Sequence, residues 1–532
     1  MADSPPFPGG AKPSGPTEER VSLRTWIAVA GTLLGCFMAV LDIIITNSSL
    51  RDIAGTLGAS SDEISWVPTS YLVAEIVVIP LTGWLAAAFS LKKYLLVNSI
   101  LFVVFSVCCG QAHSLNTIIL FRALQGFTGG VLIPLSFSVI LTHLPPSKHP
   151  VGMAMFSVTA VFAPAVGPLI GGWLTDSYGW PYIFYLNIIP GILQVTSVWF
   201  ALDNEPMKLG LLKKGDWLGI ATMAIGLASL EIVLDDGNRK DWFGDPGIAK
   251  LAWTAAIALV SFVIIELRSK DPLVDLKLFG RRNFALGSIV NFVLGSGLYG
   301  FVFILPLYFG VIHGYNALQI GEVIIWMGIP QLAVIPLVPR LMKAVDARFI
   351  IAAGVLLFGG STLFTSHLSM AFAGEQFHLP LIFRALGQPM ILVPISAIAT
   401  EGMAKGRESG AASALFNMMR NIGGSIGIAG LSTLLSVRER FHSLRLGESV
   451  SLYAQATQDR LSQMAGYFMN RGSDEYSASV RAVGALGGVV RRESFLLSFS
   501  DCFFALSLVL LASLLPLFFM KKPNVTGGGA AH

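Results

Sequence analysis

Apolar stretches of about twenty residues recur along almost the whole chain, and a helix needs about that many to cross the hydrocarbon core of a bilayer. They fall near residues 26–46, 66–86, 94–111, 117–141, 152–175, 182–201, 217–234, 250–266, 284–309, 318–339, 349–367, 379–402, 409–437 and 495–520. The predicted fold is therefore all-α, a polytopic membrane protein with about 14 transmembrane helices. Composition agrees: 13% of residues are charged and 54% hydrophobic, whereas soluble domains carry about 25% charged residues. The stretches 217–234 and 318–339 are the weakest of the set, because they hold Glu231 and Glu322.

Residues 1–24 are rich in Pro, Gly and charge and read as a disordered cytoplasmic tail. The first stretch is too long for a signal-peptide core and has no small-residue cleavage motif after it, so it reads as an uncleaved span. With the N-terminus inside, the inner short loops and tail hold roughly 18 Lys and Arg against 4 in the outer short loops. That asymmetry supports an even number of spans and puts both termini, including the tail 521–532, in the cytoplasm.

The connection 438–494 is long and lies on the outer side. Leu452, Ala456, Leu461, Met464 and Phe468 recur in it at roughly helical spacing. An amphipathic outer helix or helix pair is expected, either packed on its own bundle or docking a partner outside the membrane.

The chain also repeats itself. "LFRALQGFTGGVLIPLS" (120–136) aligns with "IFRALGQPMILVPIS" (382–396) across a two-residue gap. Parallel halves of this kind are a transporter architecture. The expected organisation is a six-helix half over 25–202, two inserted helices over 203–270, and a second six-helix half over 271–520.

Charged residues inside spans mark function by default. Asp42, in "VLDIIITNSSL", suits a site that loads a proton or a substrate; the plainer reading is a structural acid in helix packing. Arg122 does not titrate at working pH and needs an anion or backbone carbonyls; it either finds a carboxylate or polar backbone in its own half or reaches for the surface. Gln125 lies on a nearby face. Glu75, mid-span in "SYLVAEIVVIPLTG", lines the cavity or makes a structural hydrogen bond. Glu322, Asp501 and Glu231 are weaker candidates. The aromatics Trp66, Tyr71, Phe292 and Tyr299 either line the cavity or pack. Arg384, in the second copy of the repeat, is a structural remnant or a cavity residue, so Arg122 is expected to matter more.

"APAVGPLIGGWL" (163–174) combines glycines with prolines, and the spacing Gly167 to Gly171 allows close helix approach. It reads as tight packing or as a sliding surface between halves. "RNIGGSIGIAG" (420–430) offers a similar face. Nothing marks an enzyme: there is no HExxH, GxSxG, P-loop or His/Cys ligand cluster. No catalytic residue, metal or cofactor is expected. A chain without a P-loop would move solute uphill with an ion gradient. There is no basic stripe for nucleic acid.

These residues resemble the major facilitator superfamily, in particular its fourteen-span drug:proton antiporter branch. "APAVGPLIGGWL" is similar to the antiporter motif GxxxGPxxGG, at Gly167, Pro168, Gly171 and Gly172. "ILFRALQGFTGG" matches the span 4 motif with its arginine at Arg122. "LDIIITNSSL" resembles LDxTIVNVALP at Leu41, Asp42, Ile45, Asn47 and Leu50. The loop "GWLAAAFSLKK" departs from the superfamily pattern, since Ala87 and Ala88 replace an acid and a base; Emr-like inner-membrane pumps tend to lose that acid as well.

The resemblance implies proton-coupled export of small amphipathic toxic compounds across a bacterial inner membrane, with a periplasmic adaptor and an outer-membrane channel as partners. Asp42, Arg122 and Glu75 would couple the proton. Gln125, Asn47, Tyr71, Tyr299, Glu322 and Arg384 would face the substrate, and Gly167 to Gly172 would let the halves rock. An exporter of one metabolite, such as a siderophore or organic acid, on the same fold is the alternative. A non-transporting sensor or assembly protein is a third reading.

Overall fold

A computed structural model describes residues 21–522 except 214, 270, 271, 273, 400–406 and 452. The described residues form helices and turns, with no strand among them. The expected tails lie largely outside the described residues, but Leu23 and Arg24 already belong to the first helix. Arg24 pairs with Asp203 at 2.6 Å, both exposed.

The N-terminal half contains α1 (Leu23–Ser48), α2 (Trp66–Val78), α3 (Thr82–Phe89), α4 (Leu91–Gly110), α5 (Leu115–Gly129), α6 (Leu132–His143), α7 (His149–Tyr178) and α8 (Ile188–Ala201). The inserted hairpin is α9 (Trp217–Asp236) and α10 (Pro246–Arg268). The C-terminal half contains α11 (Arg282–Tyr308), α12 (Ala317–Val334), α13 (Val338–Ala344), α14 (Ala347–Phe364), α15 (Gly374–Ala399), α16 (Arg407–Ser449), α17 (Gln455–Met469) and α18 (Glu475–Ala512).

Ten helices or continuous helical runs are each long and apolar enough to cross a membrane, and the pairs α2/α3 and α12/α13 pass that test jointly. With the long helices α7 and α16 this is the set of about fourteen spans that the hydropathy pattern predicts. The two pairs bend by 64° and 47°. Pro80 and Pro336 sit in the breaks, where the ring removes a backbone donor and clashes with the preceding turn.

The duplication seen in the sequence is present in three dimensions. In the first half α1 packs on α7, α2 on α5 and α4 on α5; in the second, α11 packs on α16, α12 on α15 and α14 on α15. Glycine makes the first of these pairings close in each half. A Cβ on Gly167 or Gly171 would run into Ile44 and Ser48 of α1, and one on Gly423 would lie 2.1 Å from the Phe292 carbonyl oxygen of α11.

The connection 438–494 is helical, as the spacing of Ala456, Leu461, Met464 and Phe468 on α17 suggests, but its flanking helices are longer than the apolar runs. The hydropathy pattern ends one span near residue 437 and resumes near 495, but α16 continues for 43 residues and α18 runs for 38. At 1.5 Å per residue that is about 64 and 57 Å, roughly twice the hydrocarbon core. Both helices leave the apolar slab side by side, locked where Asp501 accepts from Arg438 Nε at 2.5 Å and meets His442 Nε2 at 2.7 Å. Helix α17 packs back on α18. The result is a helical arm, and hydropathy misses it because apolarity stops at the water boundary while the helix does not. Leu452 lies outside the described residues.

The close α11–α16 contact is testable with an internal control. Gly295→Ala and Gly423→Ala each put a Cβ within 2.1 Å of backbone oxygen, whereas Gly430 has open space around it. Each of the first two substitutions should destabilise the purified protein by about 1–3 kcal/mol. Gly430→Ala should leave the unfolding temperature unchanged or raise it slightly.

Candidate functional site

The first half holds a buried ion pair at its centre. Asp42 of α1 and Arg122 of α5 are fully buried and bonded to each other through Arg122 Nη1. Gln125, one turn after Arg122, completes a ring: its Oε1 accepts from Arg122 Nη1 at 2.9 Å and its Nε2 donates to Asp42 Oδ1 at 3.0 Å. Asn187 Nδ2 donates to the same carboxylate oxygen at 2.8 Å. Arg122 Nε reaches the Val67 carbonyl of α2 at 3.3 Å, and the guanidinium lies 4.3 Å from the Tyr71 ring centre. The surface-seeking reading of Arg122 is excluded in this arrangement. An ion pair this dry persists only because its remaining polar groups are satisfied, and here only Arg122 Nη2 lacks a partner.

A second buried cluster lies where the two halves and the inserted hairpin meet. Glu75 of α2 accepts from Asn421 Nδ2 of α16 at 3.3 Å. Glu231 of α9 accepts from Ser425 Oγ of α16 at 3.0 Å. Glu75 lies within electrostatic reach of Glu231 and Arg420, and Arg420 lies close to Tyr299 of α11. Glu75, Glu231 and Arg420 are all buried, and one oxygen of each carboxylate has no hydrogen-bond partner. Toward the loop end of the hairpin, Thr69 bonds Asp235, Arg239 donates to Ser65 at 2.5 Å, and Trp242 Nε1 donates to Thr433 at 3.1 Å. The hairpin is thus pinned to both halves at this level.

Arg384 repeats Arg122 in position and differs in surroundings. It is buried, but its guanidinium lies between the rings of Phe301 and Phe358, 4.2 and 4.6 Å from their centres. None of its three nitrogens has a hydrogen-bond partner among the described residues. Cation–π contact, about 2 kcal/mol or more when desolvated, stands where the first half uses a carboxylate.

The remaining candidates scatter. Tyr71 is buried beside Arg122, and Tyr299 is half-buried beside Arg420. Asn47 and Glu322 are exposed and join neither cluster. Gly167 and Gly171 face α1 of their own half; across the halves the same helix packs on α12, α13 and α15, with Leu169 close against Gly321 of α12. Sequence reasoning did not name Asn187, Arg420 or Asn421. Arg420 carried a usable signal, a cation at the head of the glycine-dense "RNIGGSIGIAG". Asn187 carried none, because its role needs three-dimensional proximity. No group of three or more His, Cys, Asp or Glu suited to a metal occurs among the described residues.

The Major Facilitator Superfamily profile matches residues 32–428. The chain belongs to the major facilitator superfamily. Among superfamily relatives it is 31% identical to the colistin resistance protein EmrB of Acinetobacter baumannii over 93% of this chain and 96% of that one. It is 32% identical to the multidrug export protein EmrB of Escherichia coli strain K12, over 93% of this chain and 95% of that protein. The human organic anion transporter MFSD10 shares the fold, with a TM-score of 0.57 at 13% identity over 93% of this chain and 99% of that chain.

In this superfamily member the two arginines should separate in a stability measurement. Arg122→Met strands the Asp42 carboxylate and should destabilise by about 3–5 kcal/mol. Arg384→Met removes a buried charge that has no counter-ion and replaces it with apolar volume, so the unfolding temperature should stay level or rise. Thermal unfolding of the detergent-purified variants reads both.

Proposed function

We propose that this protein is a proton-coupled antiporter that exports small amphipathic toxic compounds across the inner membrane of a Gram-negative bacterium. The buried Asp42–Arg122 pair carries the reading. A carboxylate sealed beside a guanidinium has two states. Ionised, it holds Arg122 in place. Protonated, it releases Arg122 to its remaining partners, Gln125 and the Val67 carbonyl. The proton thus changes the charge and the packing of α1, α2 and α5 together. Arg122 keeps its own proton throughout, so Asp42 is the titrating partner. Substrate and proton compete for this site, which makes the exchange an antiport. The multidrug export named for the Escherichia coli relative supports the substrate class.

Asp42→Asn preserves shape but removes the charge change. In inside-out vesicles it should abolish proton-driven efflux, at least 100-fold in initial rate, while the protein still elutes as a folded species. Undiminished proton-driven transport by this variant would sink the assignment.

We infer further that the arm projects from the periplasmic face, with both termini cytoplasmic, a placement that the distribution of basic residues supports, and that it contacts a periplasmic adaptor leading to an outer-membrane channel. Its exposed apolar side chains support this: Leu444, Tyr453, Tyr476, Val480 and Val483 are uncovered, and exposed apolar surface of this kind suits a partner site. Replacing Tyr453 and Tyr476 with Ser should lower resistance in cells that carry the adaptor at least fourfold. Antiport in vesicles, where no adaptor acts, should be unaffected. Equal loss in both assays would refute a docking role.

A further inference from the structure

The cluster between the halves holds two carboxylates and one guanidinium. Glu75 comes from the first half, Glu231 from the inserted hairpin and Arg420 from the second half, and all three are buried. With every group ionised the set carries one uncompensated negative charge in a desolvated site, which proteins strongly avoid. One proton balances it.

The hydrogen bonds show where the proton can sit. Each carboxylate has one oxygen engaged, Glu75 by Asn421 and Glu231 by Ser425, and one buried oxygen, Oε2 in each case, with no protein partner. A proton placed on either of these oxygens displaces no donor already bound. Two carboxylates that feel each other in a shared dry site do not both ionise.

We propose that Glu75 and Glu231 share one proton in the closed interface, and that the inserted hairpin is thereby part of the coupling machinery. This rests on the antiport reading above and adds a second proton site to it.

The rest of the neighbourhood does not offset the second charge. On α9 itself Asp235, one turn on, is another acid and is held by Thr69, while Asp236 is already paired with Arg239 and Lys240. From α2, beyond Glu75, Tyr71 is neutral. From α16 Arg420 is the single charged group facing the pair, and from α11 Tyr299 is neutral. Arg122 of α5 feels Glu75 but is already bonded to Asp42. On α10, the hairpin partner, Lys250 is exposed near one end, and Glu266 and Arg268 lie at the other.

The site is also a switch by position. Asn421, Ser425 and Arg420 all sit on α16, so any motion that parts α16 from α2 and α9 removes both engaged donors and the guanidinium at once. The carboxylates then hydrate, and the proton passes to water on the side that opens. Closing draws one proton back from water. No other bond is made or broken.

Infrared titration of the full chain in nanodiscs tests this without a substrate. Wild type should show the C=O stretch of one protonated carboxylic acid at neutral pH. Glu231→Gln and Glu75→Gln should each lose it, because one carboxylate then balances Arg420. Two variants on different segments guard against one failing to fold. Asp42→Asn should retain the band. In proteoliposomes with ethidium as the transported cation, Glu231→Gln should lower the proton count per dye by one. A band that survives in both Gln variants, or none in wild type, overturns the proposal. Loss of the band in both Gln variants, together with intact coupling in Asp42→Asn, would instead leave the shared proton standing and remove the antiport assignment of Asp42.

Discussion

A guanidinium inside hydrocarbon cannot shed its charge, so the helices around it must supply an anion, a set of carbonyls or an aromatic box. Arg122 receives an anion, one carbonyl and a ring: Asp42 from α1, the Val67 carbonyl and Tyr71 from α2, with Gln125 from its own helix and, through Asp42, Asn187 at the start of α8. Four segments of the first half are therefore fixed relative to one another by a single charge. Truncating it would leave a carboxylate with two amide donors in a dry core, a state worth several kcal/mol of destabilisation. The pair is also a contact of this half that a proton on the carboxylate can undo.

The second half shows what duplication preserves and what it lets go. Arg384 keeps the sequence context and the helix, and the helix pairings around it repeat those around Arg122. Its surroundings are two phenyl rings from α11 and α14. Among the described residues no carboxylate bonds it, so it lacks the proton-dependent partner that Arg122 has. Architecture, set by apolar pattern and glycine contacts, survives drift in a way that a charge network does not, because a network fails when one member is replaced. The asymmetry expected between Arg122 and Arg384 thus has a physical basis in the pairing.

Much of this fold was legible because a bilayer leaves a chain so few options. The apolar runs located the spans, and the repeated "FRAL" located the halves. Asp42 and Arg122 announced themselves as charges out of place, and a carboxylate in the same half was among the partners expected for the arginine. What stayed hidden needed relations between distant segments. Asn187 is an ordinary amide until Asp42 is found beside it. Gly167 and Gly171 have the spacing of a contact face, but spacing does not say which helix they meet, and they meet α1. A helix in the 438–494 connection was legible from its spacing, but the unbroken continuation of α16 and α18 was not, since their polar stretches lack the apolarity that marks a span.

The inserted hairpin gains its meaning from α2. Along that helix Tyr71 lies over Arg122, and Glu75, one turn later, reaches Asn421 of the second half while feeling Glu231 of the hairpin. Thr69 on the same helix bonds Asp235, and Ser65 just before it accepts from Arg239. One rigid helix therefore touches the buried pair on one side and the cross-half cluster on the other. If protonating Asp42 frees Arg122, the constraint on Tyr71 and Val67 is relaxed, and the same helix carries that change to Glu75 about 6 Å further along its axis. Two proton sites on a common element need no longer pathway than this to act together, and a hairpin bonded to that element moves with it.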